Sequence, residues 1–170
     1  IELQRKAEPF AVLAHLTGAE YPLSSLTMAW KYLLQCHPHD SIAGTGVDQI
    51  EKDMHYRLDQ SRNISAAVAR RALQSLQMQI DYSGVKNDEV VLTVFNPSPY
   101  PRSEVVSAVV DVPLKNLRGQ YGIYDAVTGE ALAFQEQCRY EHPAVVRHLG
   151  DATMEMQVLR CHLHLPLVEV

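Results

Sequence analysis

Several features that would indicate particular protein classes are missing from this sequence. Its 15 Lys and Arg residues are outnumbered by 20 Asp and Glu residues, so the net charge is −5 at pH 7. A nucleic-acid-binding surface would need a basic excess, and we therefore expect no nucleic-acid partner. The sequence also lacks a run of about 18 apolar residues, and we expect no membrane partner.

Cysteine is scarce, and the three cysteines are far apart. Cys36, Cys138 and Cys161 indicate neither a disulfide framework nor a zinc ribbon. The chain starts at Ile1 instead of a methionine, and no pattern of a secretory signal peptide follows it. We expect a segment excised from a longer, cytoplasmic protein.

What the sequence does contain is typical of a globular protein. Hydrophobic residues make up 46% of the 170 residues and charged residues 21%, which is enough to build a core without disulfides. Residues 1–81 have helical spacing of apolar side chains, with a long final helix over about 47–80. We expect a three-helix bundle in this part.

The second half has the pattern of β-strands instead. The expected strands cover residues 89–95, 104–112, 119–125, 131–139 and 153–165. No helical pattern separates them, so residues 82–170 are expected to form an antiparallel β-sheet or partial β-sandwich, truncated at its end. The predicted fold class is α+β.

The stretch between the second and third predicted helices carries the residue types of a functional site. Residues 37–46 bring His37, His39 and Asp40 into an irregular turn, and imidazole and carboxylate groups bind metals and sugar hydroxyls. Gly44 and Gly46 would let the backbone approach a ligand closely.

The same stretch has a simpler explanation, in which polar side chains cap the long helix. The candidate caps are Asp40, Ser41, Thr45 and Asp48. Neighbouring residues cannot fill a tetrahedral site by themselves, so a metal here would need ligands from elsewhere.

Other histidines and acids are weaker candidates. His162 and His164 alternate along the last predicted strand, where an exposed strand face explains them better than a metal chelate. His142 and His148 flank a predicted loop without shared periodicity. The acidic residues at 48, 51, 53 and 59 are expected to be a solvated helix face.

Two motifs in the sequence resemble glycoside hydrolase family 38, the α-mannosidases. Residues 39–45 read His-Asp-Ser-Ile-Ala-Gly-Thr and resemble the family's His-Asp-x-Ile-x-Gly-Thr motif. Residues 94–99 read Val-Phe-Asn-Pro-Ser-Pro and resemble the segment that opens the family's β-domain, with Tyr100 where the family has Trp.

This resemblance implies a retaining, zinc-dependent α-mannosidase that acts on a mannoside or mannose-containing glycan. It also implies that His39 is one zinc ligand and that Asp40 contacts sugar hydroxyls. The nucleophile and the other zinc ligands would belong to an N-terminal catalytic domain that precedes Ile1. We therefore expect no catalytic residue in this segment and no activity of the segment alone.

Two alternatives stay open at this point. The segment could be a non-catalytic helical and β interaction module without metal, or a carbohydrate-binding module. In the mannosidase interpretation, His39 points to a surface that the missing domain would cover, with bare apolar residues around it. In the module interpretation, His39 is capped within the bundle.

Overall fold

The computed structural model of the chain describes residues 2–117, 119–147 and 153–167. The chain divides into two compact units, Ile1–Tyr82 and Ser83–Val170. The first unit is helical, and the second contains antiparallel strands and one short 3₁₀ turn. This arrangement confirms the predicted α+β class.

The helical unit consists of three main helices and a short fourth one. A π-helical turn at Leu3–Ala7 runs directly into the first of them, and the helices in chain order are α1 (Glu8–Leu16), α2 (Leu23–Leu34), α3 (His39–Ala43) and α4 (Asp48–Gln77). Both α1 and α2 pack on α4, which is the longest element of the unit. No helix in the described ranges is both long and apolar enough to cross a bilayer.

The core of this unit is built mainly from small side chains. Its buried members are Leu3, Ala7, Ala11, Leu26, Ala29, Val68 and Ala69. Alanine at the contacts lets the helix axes approach closely, and burial of these apolar side chains drives the packing at roughly 25 cal/mol per Å². Trp30 packs against this cluster, and its indole N–H donates to Glu8 Oε1 at 2.7 Å.

The β unit contains a three-stranded antiparallel sheet in the order β1-β5-β4, formed by β1 (Glu104–Pro113), β5 (Thr153–Leu167) and β4 (Gln135–Arg147). β2 (Ile123–Tyr124) and β3 (Ala131–Leu132) form a separate two-stranded pair. Cys161, Leu163 and Leu165 of the central strand are buried on one face, as the alternating pattern of that strand predicts.

Three of the predicted strands differ from the observed ones. The prediction of a strand over 89–95 was wrong, because this segment belongs to neither of the two sheets in the described part of the chain. The strand predicted over 119–125 is only β2, since Gly119 has φ of 105°, outside the strand region. The strand predicted over 131–139 is split between β3 and β4.

Candidate functional site

The turn that precedes α4 is more ordered than its sequence predicts. Pro38 has extended backbone and begins α3, with the Ile42 N–H donating to its carbonyl at 3.0 Å. Gly44 ends α3 in the left-handed region with φ of 73°, a conformation that glycine adopts without steric cost. The expectation of an entirely irregular turn was therefore wrong, because residues 39–43 form one helical turn.

This short helix places His39 and Asp40 at its first two positions. His39 Nε2 lies 3.4 Å from Asp40 Oδ1, and their side chains are 93% and 76% exposed. The turn is fixed instead by Thr45, whose backbone N–H and hydroxyl both donate to the Asp40 carbonyl at 3.1 Å. Backbone bonding thus holds the turn while the imidazole and the carboxylate face solvent.

The capping explanation of these residues is wrong. The residue that precedes α4 is Val47, and neither α3 nor α4 has a side-chain hydrogen bond at its N-terminus. The Thr45 hydroxyl does reach Asp40 Oδ1, but at 3.5 Å this contact is at the limit of a hydrogen bond. The Asp40 side chain therefore makes a marginal contact with the turn, and neither His39 nor Asp40 caps α3 or α4.

Apolar side chains around this turn are left bare within the helical unit. Ile42 is 65% exposed, Val47 68% and Ile50 45%. Gly46 keeps the turn close to α4, since a Cβ at this position would lie 3.2 Å from Ile50 Cγ2. A cluster of exposed branched side chains beside two polar groups is typical of a surface that binds another partner.

The described residues contain no group of three or more His, Cys, Asp or Glu side chains that could hold a metal ion. His39 and Asp40 are the two candidate groups that the structure brings together, and His37 is exposed on the same turn. The acidic residues of α4 are engaged locally: Asp53 accepts from Gln49 at 3.1 Å, and Glu51 lies 3.6 Å from His55.

The histidines of the β unit have partners within the sheet. His164 Nδ1 lies 3.0 Å from the Ser107 hydroxyl on β1, and the His162 ring stacks on Tyr140 of β4. His142 makes an edge contact with the same tyrosine. For His162 and His164 these contacts agree with the expectation of an ordinary strand face. The expectation that His142 flanks a loop was wrong, because His142 lies within β4 and pairs with Val158, and His148 lies outside the described residues.

The sheet also holds an ion pair that the sequence did not indicate. The guanidinium of Arg160 donates to both carboxylate oxygens of Asp111, at 2.7 and 2.8 Å. These hydrogen bonds hold the pKa of Asp111 below its ordinary value, against the opposing effect of partial burial. The two residues are far apart in sequence and meet because β1 and β5 pair in this register, so no local motif reveals them.

A second polar contact lies between the sheet and the segment before β2. The Tyr121 hydroxyl donates to the Glu136 carboxylate, and the Tyr121 ring stacks on Phe134. Burial is the main cause that raises the pKa of Tyr121, with Cys161 and Glu136 adding to it. The phenol therefore stays protonated and acts as a hydrogen-bond donor that fixes this segment.

Two comparisons with known proteins found similar proteins, and both point to α-mannosidases. Residues 2–76 match the protein family described as the alpha mannosidase middle domain. No curated protein matches the sequence. An alpha-mannosidase from Enterococcus faecalis V583 of known crystal structure superposes on 99% of this chain with a TM-score of 0.84 and 25% identity. A protein in the glycosyl hydrolase family 38 from Enterococcus faecalis superposes on 99% of this chain with a TM-score of 0.78 and 25% identity. This chain spans 21% and 22% of those two protein chains.

Proposed function

We propose that the chain is a segment of a retaining, zinc-dependent α-mannosidase, because residues 2–76 match the alpha mannosidase middle domain family that the motif at residues 39–45 predicted. In this proposal His39 is one ligand of the zinc ion, and Asp40 contacts hydroxyl groups of the mannose. The remaining ligands and the nucleophile come from a catalytic domain outside residues 1–170.

One observation carries the proposal, namely the exposure of His39 and Asp40 on a rigid turn. Backbone hydrogen bonds fix the turn, and the two side chains contribute nothing to its folding that the structure reveals. Ile42 and Val47 next to them are bare, as expected if a further domain covers this face. An interaction module without metal predicts His39 capped within the bundle, and its 93% exposure counts against that alternative.

The donor atoms present fit a partial zinc site. A neutral imidazole is a good zinc ligand, and the carboxylate next to His39 can orient its ring. No three candidate ligands meet in the described residues, so those residues would contribute only part of the coordination. A bound zinc ion would hold the sugar hydroxyls in place by Lewis-acid interactions.

Hydrolysis with retention needs two positioned carboxylates, one as the nucleophile and one as acid and then base. We assign neither to this chain, so its own residues would bind and orient the mannoside. We therefore expect the 170-residue chain to show no measurable hydrolysis of a chromogenic α-mannoside. Turnover that is lost in the His39→Ala variant would contradict the proposal that the nucleophile lies elsewhere.

The decisive experiment compares His39→Ala with His37→Ala in the longer enzyme. Loss of one zinc ligand is expected to lower zinc affinity by more than the roughly 10- to 100-fold that loss of a ligand's hydrogen-bond partner costs, and kcat/KM should fall with it. The control His37→Ala removes another exposed imidazole from the same stretch and should leave zinc affinity and kcat/KM near wild type. Elemental analysis and steady-state kinetics measure the two quantities. Full zinc occupancy and unchanged kinetics in His39→Ala would remove this residue from the site.

The cytoplasmic location, the specific glycan and the contact with a catalytic domain are part of the same proposal. They depend on residues outside this chain, which covers only 21% and 22% of the two similar protein chains.

A further inference from the structure

A strand-like segment of the β unit has no strand to pair with. Residues 89–95 read Glu-Val-Val-Leu-Thr-Val-Phe, a composition with high β propensity, yet they belong to no sheet in the structure. Among the described residues, none accepts or donates a backbone hydrogen bond with residues 90–94. Unpaired backbone groups flanked by apolar side chains are costly unless water or another chain satisfies them.

Local bonds hold both ends of this segment in place. Before it, the Glu89 carboxylate accepts from the Lys86 backbone N–H at 2.9 Å, and the Asn116 side chain donates to the Asn87 carbonyl at 3.0 Å. After it, the Asn96 side chain accepts from the Ser98 N–H at 2.9 Å. Residues 90–94 lie between these two turns and have no backbone pairing with the described residues.

The side chains of the segment indicate a strand that is covered on both faces. Val90, Val91 and Leu92 are consecutive, so they point to alternate faces, and they are 43%, 42% and 38% exposed. A continuous apolar run of this kind is typical of a strand buried on both sides. The Thr93 hydroxyl is buried and has no hydrogen-bond partner, so its surroundings are also incomplete.

We infer that residues 90–94 form a β-strand in the longer polypeptide, paired with a strand that lies outside residues 1–170. Another extended chain can satisfy a row of backbone N–H and C=O groups at strand spacing and cover the apolar side chains at the same time, whereas water satisfies only the polar groups. The similar crystal structures contain far more chain than is aligned here, since this chain covers 21% of one and 22% of the other. The existence of that further chain rests on the proposed function, but the pairing itself does not depend on mannosidase activity.

Hydrogen exchange measured by mass spectrometry tests the inference. In the 170-residue chain the amides of residues 90–94 should exchange at nearly the rate of an unfolded peptide. In the longer enzyme the same amides should exchange at least about 100-fold more slowly, because a ladder protects them. Fast exchange in both proteins would overturn the inference, and so would a gene that encodes no further residues.

Hydrogen exchange in the 170-residue chain also tests two other pairing partners for the segment, a second copy of the chain and the chain itself. Protection of residues 90–94 that rises with protein concentration, together with a dimer in light scattering, would assign the position to a second copy. Protection in the monomer would mean that this chain already pairs the segment. Either result overturns the inference.

Two proline substitutions serve as matched variants. Leu92→Pro removes a backbone N–H from the proposed ladder, and Val85→Pro places the same residue before the segment, at the end of the turn over residues 83–84. In the 170-residue chain both variants should melt like wild type. In the longer enzyme Leu92→Pro should lower the melting temperature by at least about 3 °C more than Val85→Pro. Equal melting of the two variants there would contradict the pairing.

Activity separates this inference from the proposed function. A longer protein that lacks mannosidase activity but protects residues 90–94 would retain the strand and refute the enzyme assignment. An active enzyme in which residues 90–94 exchange fast would support the enzyme assignment and refute the strand.

Discussion

Two polar pairs in this chain differ in every property that indicates a structural role. Asp111 and Arg160 join two strands through two hydrogen bonds, and their side chains are only 34% and 26% exposed. His39 and Asp40 are adjacent in sequence, 3.4 Å apart, and almost fully exposed. The first pair stabilises the sheet, whereas the second contributes nothing visible to its turn. Exposed groups on a rigid turn are therefore the better candidates for function.

The largest effect is expected from replacing Asp40, a member of the exposed pair. In the longer enzyme, Asp40→Asn keeps a hydrogen-bonding shape but removes the charge. We expect zinc to remain bound while kcat/KM falls about 100-fold, because the amide orients the sugar hydroxyls less well. Steady-state kinetics with elemental analysis measures this. Loss of zinc in Asp40→Asn would instead make Asp40 a ligand.

A smaller effect is expected on stability at Asp111. Asp111→Asn should lower the free energy of unfolding of the 170-residue chain by about 1 kcal/mol at pH 7, a value reduced for the partial exposure of the pair. The control Glu104→Gln alters a pair with Arg102 in which both side chains are 49% exposed, and it should change little. Urea denaturation compares the two variants, and equal effects would mean that the cross-strand pair is no stronger than a surface pair.

The stabilising effect of Asp111 should also depend on pH. Because its pKa is lower in the folded state, its contribution is complete above the unfolded value of about 3.9 and is lost as pH falls through the folded value. The difference in stability between wild type and Asp111→Asn should therefore be constant above about pH 5 and disappear in stronger acid. Denaturation curves over this range check the sign, and a difference that grew on acidification would contradict it.

The smallest effect is expected for His39→Ala in the 170-residue chain. An exposed side chain without partners other than Asp40 should change the free energy of unfolding by less than about 0.5 kcal/mol. Thermal denaturation tests this. A destabilisation of more than about 1 kcal/mol would show that His39 has a structural role, and the contrast with Asp111 would then fail.

Much of the fold and of the candidate site could be predicted from local patterns in the sequence. Helical spacing located α1, α2 and α4 and alternation located β5, because these elements bury one face, while strand-like composition located β1. The His-Asp-x-Ile-x-Gly-Thr and Val-Phe-Asn-Pro-x-Pro motifs indicated the family that the comparisons confirm for residues 2–76. The roles of His39 and Asp40 stay predictions, since they require residues outside this chain.

The sequence by itself determined the periodicity of each half, the family motifs and the residue types in the turn. Only the tertiary structure decided that Val47 precedes α4 without a side-chain cap, that Asp111 meets Arg160, and that residues 90–94 belong to neither of the described sheets. The physical reason is that propensity and periodicity act between near neighbours along the chain. Strand pairing and side-chain exposure depend instead on what the rest of the polypeptide brings alongside.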